Sequence, residues 1–255
     1  MGVRPKKHLG QHFLTNQIIA ENIVEAAQIN SNTPILEIGP GMGVLTQYIE
    51  PLSKNFFLIE IDSESVDYLY KNFPSLSENI FEQDFLNFDI QKHFPEGMDL
   101  IGNFPYNISA PILFQVLKYK SSVNKVTGMF QKEVAQRIAA PHGNKTYGIL
   151  SVYIQSFFKT ELLFTVSPGN FNPPPKVDSA VLQLTKIPNR KLDCDETLFF
   201  KVVKVSFHKR RKMLRNSLKD ILGKTTIDNE IMTKRPEQLS PKDFEFLTNL
   251  VAEHL

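Results

Sequence analysis

The feature that most constrains this chain is the run Pro34-Ile35-Leu36-Glu37-Ile38, which empties directly into Gly39-Pro40-Gly41-Met42-Gly43. A short apolar run of this kind reads as a strand buried on both faces, and such strands belong to parallel sheets covered by helices. The glycines let the backbone turn sharply and pass close beneath a ligand at the start of the next helix. Gln17–Ala27 has helical spacing before the run, and Val44–Leu52 reads as the helix that follows it. Phe56–Ile61, Ile80–Gln83, Leu100–Gly102 and Val126–Phe130 read as further strands, with helices around Ser65–Asn72, Ala110–Leu117 and Lys132–Ala140. Alternation at this spacing predicts an α/β fold with a doubly wound, Rossmann-like, mostly parallel sheet. Glu161–Val166 and Ala180–Thr185 are two later strands joined by the Pro-rich loop Ser167–Lys176 with no helix, so they predict an antiparallel hairpin at one sheet edge.

The pattern changes around Ile187-Pro188-Asn189-Arg190. From Glu196 onward only helical periodicity remains. Two domains are therefore expected: residues 1–186, carrying the ligand site, and a small all-helical domain over 187–255. Charge is divided the same way. Of 29 Lys/Arg and 27 Asp/Glu, residues 187–255 hold 14 and 10, so the basic excess sits at the C-terminal end and points to a polyanion. Cys194 is the single cysteine, which excludes an intrachain disulfide, and the six histidines have no metal-ligand spacing. No metal and no membrane partner is expected. No apolar run is long enough to span a bilayer, and Gly10-Gln11-His12 interrupts any signal-peptide pattern, so the cytoplasm is the expected location.

In open α/β sheets the ligand lies beyond the carboxyl ends of the strands. Four such ends carry polar or glycine signals: Gly39–Gly43, Glu60 with Asp62, Asp84, and Asn103. Glu60 stands where a carboxylate accepts hydrogen bonds from ribose hydroxyls, and Asp84 where an adenine ring is met. A dinucleotide site would share these features, but its G-x-G-x-x-G spacing fails, since Val44 stands at the last glycine position. The glycine loop preceded by Glu37 reads better as an S-adenosylmethionine site; a nicotinamide or flavin site, and a loop without a ligand, are the alternatives.

Asn103-Phe104-Pro105-Tyr106 closes the fourth strand. Pro105 fixes its own φ and pushes Phe104 out of the α region, which makes a rigid extended turn. Such a turn can aim a carboxamide, a carbonyl and an aromatic face into one crevice, parts suited to a flat base with an exocyclic amine. At the other end of the chain, Phe199–Lys219 carries eight Lys/Arg and no acid. Drawn as one helix, Lys204, His208, Arg211, Arg215 and Lys219 form a basic stripe beside the apolar stripe Phe200, Val203, Phe207, Leu214 and Leu218. Phosphate contacts made by such a stripe weaken steeply with salt.

With these stretches in order, the sequence resembles the ribosomal RNA adenine N6,N6-dimethyltransferases, in particular the bacterial small-subunit branch. The resemblance begins at Lys6-Lys7-His8-Leu9-Gly10-Gln11-His12-Phe13-Leu14 and runs through Glu37–Thr46, Glu60-Ile61-Asp62, Gln83-Asp84 and Asn103–Ser109. It continues through Phe171-Asn172-Pro173-Pro174-Pro175-Lys176-Val177-Asp178-Ser179 and Ser206–Asn216. It implies an S-adenosylmethionine-dependent enzyme that dimethylates two adjacent adenosines in a 3'-terminal hairpin of small-subunit RNA within a pre-ribosomal 30S-type particle, acting as a monomer. It implies cofactor contacts from Gln11, His12, Leu14, Gly39, Gly41, Glu60, Ile61, Asp84, Phe85 and Asn103. It also implies that Asn103 and the Phe104 carbonyl accept from the target amine while Tyr106 and Phe171 stack on the base. Lys204, His208, Arg210, Arg211, Arg215 and Lys219 are the expected RNA contacts. His12 stands where many relatives have Asn, and Phe104 where Leu is common. A large-subunit enzyme conferring antibiotic resistance and a non-catalytic assembly factor are the alternative readings.

Overall fold

The computed structural model describes residues 3–255. In chain order it contains β1 (Phe13–Leu14), α1 (Gln17–Ala27), β2 (Ile35–Ile38), α2 (Thr46–Ile49), β3 (Phe56–Glu60), α3 (Ser63–Asn72), β4 (Ile80–Glu82) and α4 (Ile90–His93). These are followed by β5 (Met98–Asn103), α5 (Ser109–Lys118), β6 (Val123–Gln131), α6 (Lys132–Ala139), α7 (Ile149–Gln155), β7 (Phe158–Val166), β8 (Phe171–Asn172) and β9 (Ser179–Lys186). The C-terminal part is α8 (Glu196–His208), α9 (Leu214–Ser217), α10 (Lys219–Leu222) and α11 (Pro241–Ala252).

Seven strands form one sheet in the order β4-β3-β2-β5-β6-β9-β7. β2 pairs in parallel with both β3 and β5, so the strand order reverses on either side of it. That reversal is the switch point at which the carboxyl ends of such a sheet open a crevice. β6 continues the parallel set from β5, and β9 turns antiparallel against β6, inserting between β6 and β7. The expected edge strands are thus neighbours. All four residues of β2 are buried, the carboxyl-bearing Glu37 among them, as expected of a central strand covered on both faces.

Local signals explain several boundaries. Asn16 caps α1, its side chain accepting from the Ile18 and Ile19 N–H groups. α2 is much shorter than the expected Val44–Leu52, because the chain leaves the glycine loop in turns and Pro51 has no N–H to extend the helix.

The chain divides into two compact units, one running to Ala135 and including Glu161–Lys186, the other comprising Gln136–Thr160 and Ile187–Leu255. The break between Lys186 and Ile187 falls where the sequence reading places it, and residues 136–160 group with the helical unit in addition. The physical reason is burial. α7 buries Ser151, Val152, Tyr153 and Ile154, and the Tyr153 hydroxyl donates to the Phe200 carbonyl of α8 at 2.6 Å.

The single basic helix expected over Phe199–Lys219 is also corrected. α8 ends at His208, residues 209–213 form a turn, and α9 starts afresh where the Leu214 N–H donates to the Lys234 carbonyl at 2.8 Å. In that turn Lys209 reaches to Asp220 at 3.1 Å. Lys204 and His208 therefore share a helix, whereas Arg211, Arg215 and Lys219 do not continue its stripe.

Candidate active site

The site lies within the first unit. A cavity of about 160 Å³ opens at the switch point, walled by Gln11, His12, Gly39, Gly41, Glu60, Ile61, Asp84, Asn103, Phe104 and Tyr106, among others. A second cavity, on the other flank of the glycine loop, shares Phe13, Gly39 and Asn103 with it and is bordered by Leu14 and Glu37. Four strand ends separated by up to 64 positions in sequence thus meet around one hollow.

Gly39 and Gly41 adopt φ of +65° and +58°, a region that L side chains rarely adopt. A Cβ on Gly41 would stand 2.8 Å from the Phe13 ring, whereas one on Gly39 would meet nothing nearer than 3.8 Å. A side chain at Gly39 would project into space that the backbone leaves open for a ligand.

Glu60 is buried, yet both its carboxylate oxygens are hydrogen-bonded, with acceptor capacity remaining on Oε2. Oε2 accepts from the Gly41 N–H at 3.0 Å, and Oε1 accepts from the N–H groups of Ile61 and Asp62 at 2.9 and 3.0 Å. Burial pushes its pKa up from the usual carboxylate range, and these three backbone donors oppose that rise. Glu37, one strand over, is more deeply enclosed. Its Oε2 accepts from the Thr46 hydroxyl at 2.7 Å, tying the strand end to α2. Burial pushes its pKa up to about 8, the Thr46 bond opposes this, and the nearby Glu60 charge adds to it.

Asn103 is the last residue of β5 and is paired with Met129. Its Nδ2 donates to the His12 carbonyl at 2.9 Å. That bond uses a donor of the carboxamide and leaves Oδ1 as the acceptor that can serve the cavity. Phe104 is held differently: its ring is buried, 4.9 Å from that of Phe130. Gly102 and Gly128 make the space, since Cβ atoms on them would stand 2.7 and 2.1 Å from the Phe104 ring. The side chain is an anchor, and what Phe104 can offer the cavity is its backbone. Tyr106 has its hydroxyl hydrogen-bonded to the Ser179 Oγ, and its ring stacks on His12 at 5.3 Å. Burial raises the Tyr106 pKa, opposed by the Ser179 bond.

Three expected contacts are placed elsewhere. Phe171 is only 4% exposed and lies in the core with Leu14, because β8 pairs with β1 and turns both side chains inward. Its ring supports the N-terminal segment from below, and the stacking neighbour of Tyr106 is His12. The Phe85 side chain is likewise buried, so it packs in the interior and does not wall the cavity. Leu14 borders the second cavity from the core. Two contributors are not marked as such by the sequence. Ser179 ends the Phe171–Ser179 stretch, but its hydroxyl role depends on a partner 73 positions away. Asp62 is legible only as a second acid after Glu60.

In the second unit the expected RNA residues have different surroundings. Arg210 donates to the backbone carbonyls of Asn144 and Lys145. Arg215 and Lys219 wall a surface groove with Lys224. Among the described residues, no cluster of three or more His, Cys, Asp or Glu is arranged to hold a metal ion, and no helix is long and apolar enough to cross a membrane.

A Rossmann-like sheet with a glycine loop, a buried acid at the next strand end and an Asn-Phe-Pro-Tyr turn facing both defines a nucleic-acid amino-methyltransferase architecture. The ribosomal RNA adenine dimethylase family model matches residues 2–245, and the chain belongs to that family. It is 52% identical over 255 residues to the ribosomal RNA small subunit methyltransferase A of Parabacteroides distasonis, covering 99% of this chain and 96% of that one. Among solved structures it resembles a dimethyladenosine transferase from Plasmodium falciparum, with a TM-score of 0.79, 28% identity and 95% and 97% of the two chains covered. It shares its fold with the 23S rRNA methyltransferase ErmE, with a TM-score of 0.69, 24% identity and 92% and 98% covered.

Proposed function

We propose that this protein is the small-subunit ribosomal RNA adenine N6,N6-dimethyltransferase of its cell, acting in the cytoplasm as a monomer on two adjacent adenosines of a 3'-terminal hairpin, with S-adenosylmethionine as methyl donor. The observation that carries the reading is the orientation of Asn103, whose amide donates to the His12 carbonyl and leaves Oδ1 for the cavity beside Gly39. The residues present suit the donor. Gly39 leaves open space, Glu60 is a buried acceptor for ribose hydroxyls, Ile61 offers a half-exposed apolar face, and Asp84 stands at the next strand end. Gln11 and His12 would contact it from the N-terminal segment. Bound there, the donor supplies a methyl group activated by a positively charged sulfur.

The protein's own task is alignment. The adenine N6 lone pair is delocalised into the ring, so the amine is a weak nucleophile. Hydrogen bonds from N6–H to Asn103 Oδ1 and the Phe104 carbonyl favour a more tetrahedral nitrogen and fix its approach. Tyr106 gives the flipped base an aromatic face, worth about 1–3 kcal/mol. No strong base is required, because the methylated amine carries a proton that leaves to water. In the second unit, Lys204, His208, Arg211, Arg215 and Lys219 meet phosphates, joined by Arg210 where its backbone bonds allow. The strong full-length likeness to a small-subunit enzyme, against a fold-level likeness to ErmE, favours the small-subunit substrate.

The test is methylation of unmodified small subunits with a labelled methyl donor, with naked RNA and large subunits as controls, and reverse-transcription stops to map the products. Two adjacent dimethylated adenosines in small-subunit RNA are expected. Stops in large-subunit RNA would establish the other substrate, and absence of label would mark an assembly factor.

A further inference from the structure

Asp62 is a buried carboxylate that does not wall either cavity, yet it collects four donors. Its Oδ1 accepts from Lys6 Nζ and from the Glu64 N–H at 3.3 Å; its Oδ2 accepts from Gln11 Nε2 at 3.0 Å and from the Ser65 hydroxyl at 3.1 Å. Lys6 and Gln11 are themselves joined, the Lys6 N–H donating to Gln11 Oε1 at 2.8 Å. These three residues close a ring of hydrogen bonds across 56 positions of sequence. The segment so fastened walls the cavity from Leu9 to Phe13. Its far end is fixed separately, by the Asn103 bond to the His12 carbonyl and by His12 Nδ1 at 2.7 Å from the Pro173 carbonyl. Asp62 also donates its own N–H to the Glu60 carboxylate.

Capping α3 needs only an oxygen acceptor, which Asn or Ser would supply. A buried negative charge is costly unless it is paired, and the partner here arrives from the N-terminal segment. The side chain of Lys6, which is only 27% exposed, is thereby committed to the protein and not free for phosphate.

We propose that Asp62 is a positioning residue: its ion pair with Lys6 and its bond to Gln11 strap the N-terminal segment over the cofactor cavity and so set how tightly the methyl donor is held. The proposal rests on the cofactor reading above. Asp62→Asn keeps the helix cap and removes the charge. Lys6→Met removes the same pair from the other side at a partly exposed position, so it reports even if the Asp62 variant folds poorly.

The experiment is calorimetric titration of S-adenosylhomocysteine and S-adenosylmethionine into the full chain, alongside steady-state kinetics. Both variants are expected to weaken binding at least fivefold and to raise KM for the donor in step, with kcat within twofold. Lys6→Arg should return to within twofold of wild type, and the double variant should bind no worse than the weaker single variant. Wild-type affinity in both single variants, or kcat falling with affinity unchanged, would overturn the proposal. Lys6→Arg behaving like Lys6→Met, or an additive double variant, would overturn it as well. Failure of the unmodified protein to bind either compound is a separate result, which would remove the cofactor reading itself.

Discussion

The two basic ends of this chain treat their charges in opposite ways. In the N-terminal segment Lys6 is paired with Asp62 and Glu64, and Glu60 and Asp62, at and just beyond the end of β3, are buried with both carboxylate oxygens hydrogen-bonded. In the C-terminal run Arg211, Lys212, Arg215 and Lys219 have no ion pair among the described residues, and only Lys209 has a carboxylate partner, the exposed Asp220. The first arrangement builds a pre-set pocket, in which each donor has one place to be. The second leaves cations available to a flexible polyanion, whose phosphates position a protein without specifying a base. Both ends are basic in sequence, but at one the cation is paired with a buried acid and at the other the cations stand exposed.

The sharpest way to break this contrast is at the pocket. Asn103→Ala should lower kcat at least a hundredfold while donor binding by calorimetry stays measurable; near-normal turnover would remove the acceptor role of the carboxamide. Glu37 supplies a second test, through pH. Its carboxyl is held up near 8, far above a carboxylate's unfolded value, so between about pH 4.5 and 8 the unfolded state has released a proton that the folded state keeps. Stability from this group is therefore full below that window and lost as pH rises through it, by up to about 1.4 kcal/mol per pH unit. Glu37→Gln, which still accepts from Thr46, should gain stability over wild type in urea unfolding at pH 8 and show little difference at pH 4.5. A difference independent of pH would mean the carboxyl is charged throughout.

Gly128→Ala probes how the Asn-Phe-Pro-Tyr turn is seated. The new methyl would fall 2.1 Å from the Phe104 ring, so a loss of about 1–3 kcal/mol in stability and a parallel fall in kcat are expected. Unfolding free energy and turnover measured together decide whether seating and activity are linked. The smallest effect is expected at the surface. Replacing Arg211, Lys212 and Arg215 by Gln should weaken RNA binding about tenfold at moderate salt and leave donor affinity alone. The logarithmic salt slope should flatten by about one for each phosphate that is no longer neutralised. An unchanged slope would show that these cations are merely solvated.

Much of the fold was legible because its strands are buried on both faces and therefore read as apolar runs ending in glycine or acid. α1 spans Gln17–Ala27, as its spacing and Asn16 cap dictate. The cavity-facing set Gly39, Gly41, Glu60, Ile61, Asp84 and Asn103 was legible for a related reason: each stands at the end of a strand or just beyond it, and the parallel sheet brings those ends together. Phe171 was not, because the direction of its ring follows from a two-residue pairing with β1 across 157 positions. The continuous basic helix failed because periodicity counts spacing and does not see the bond from the Leu214 N–H to the Lys234 carbonyl, where α9 starts afresh. Residues 136–160 carry no local mark of the unit they join.

The sequence by itself determined the alternation of strands and helices, the glycine loop, the rigid turn at Asn103–Tyr106 and the basic excess beyond residue 187. These are local properties, written in spacing, backbone restriction and charge. Only the tertiary structure decided what each polar group is for. It turned the Asn103 amide by giving its N–H to His12, made Phe104 an anchor by opening space at Gly102 and Gly128, and spent the charge of Lys6 on Asp62. The reason is that a buried polar group must find its partner in space, and these partners lie far along the chain.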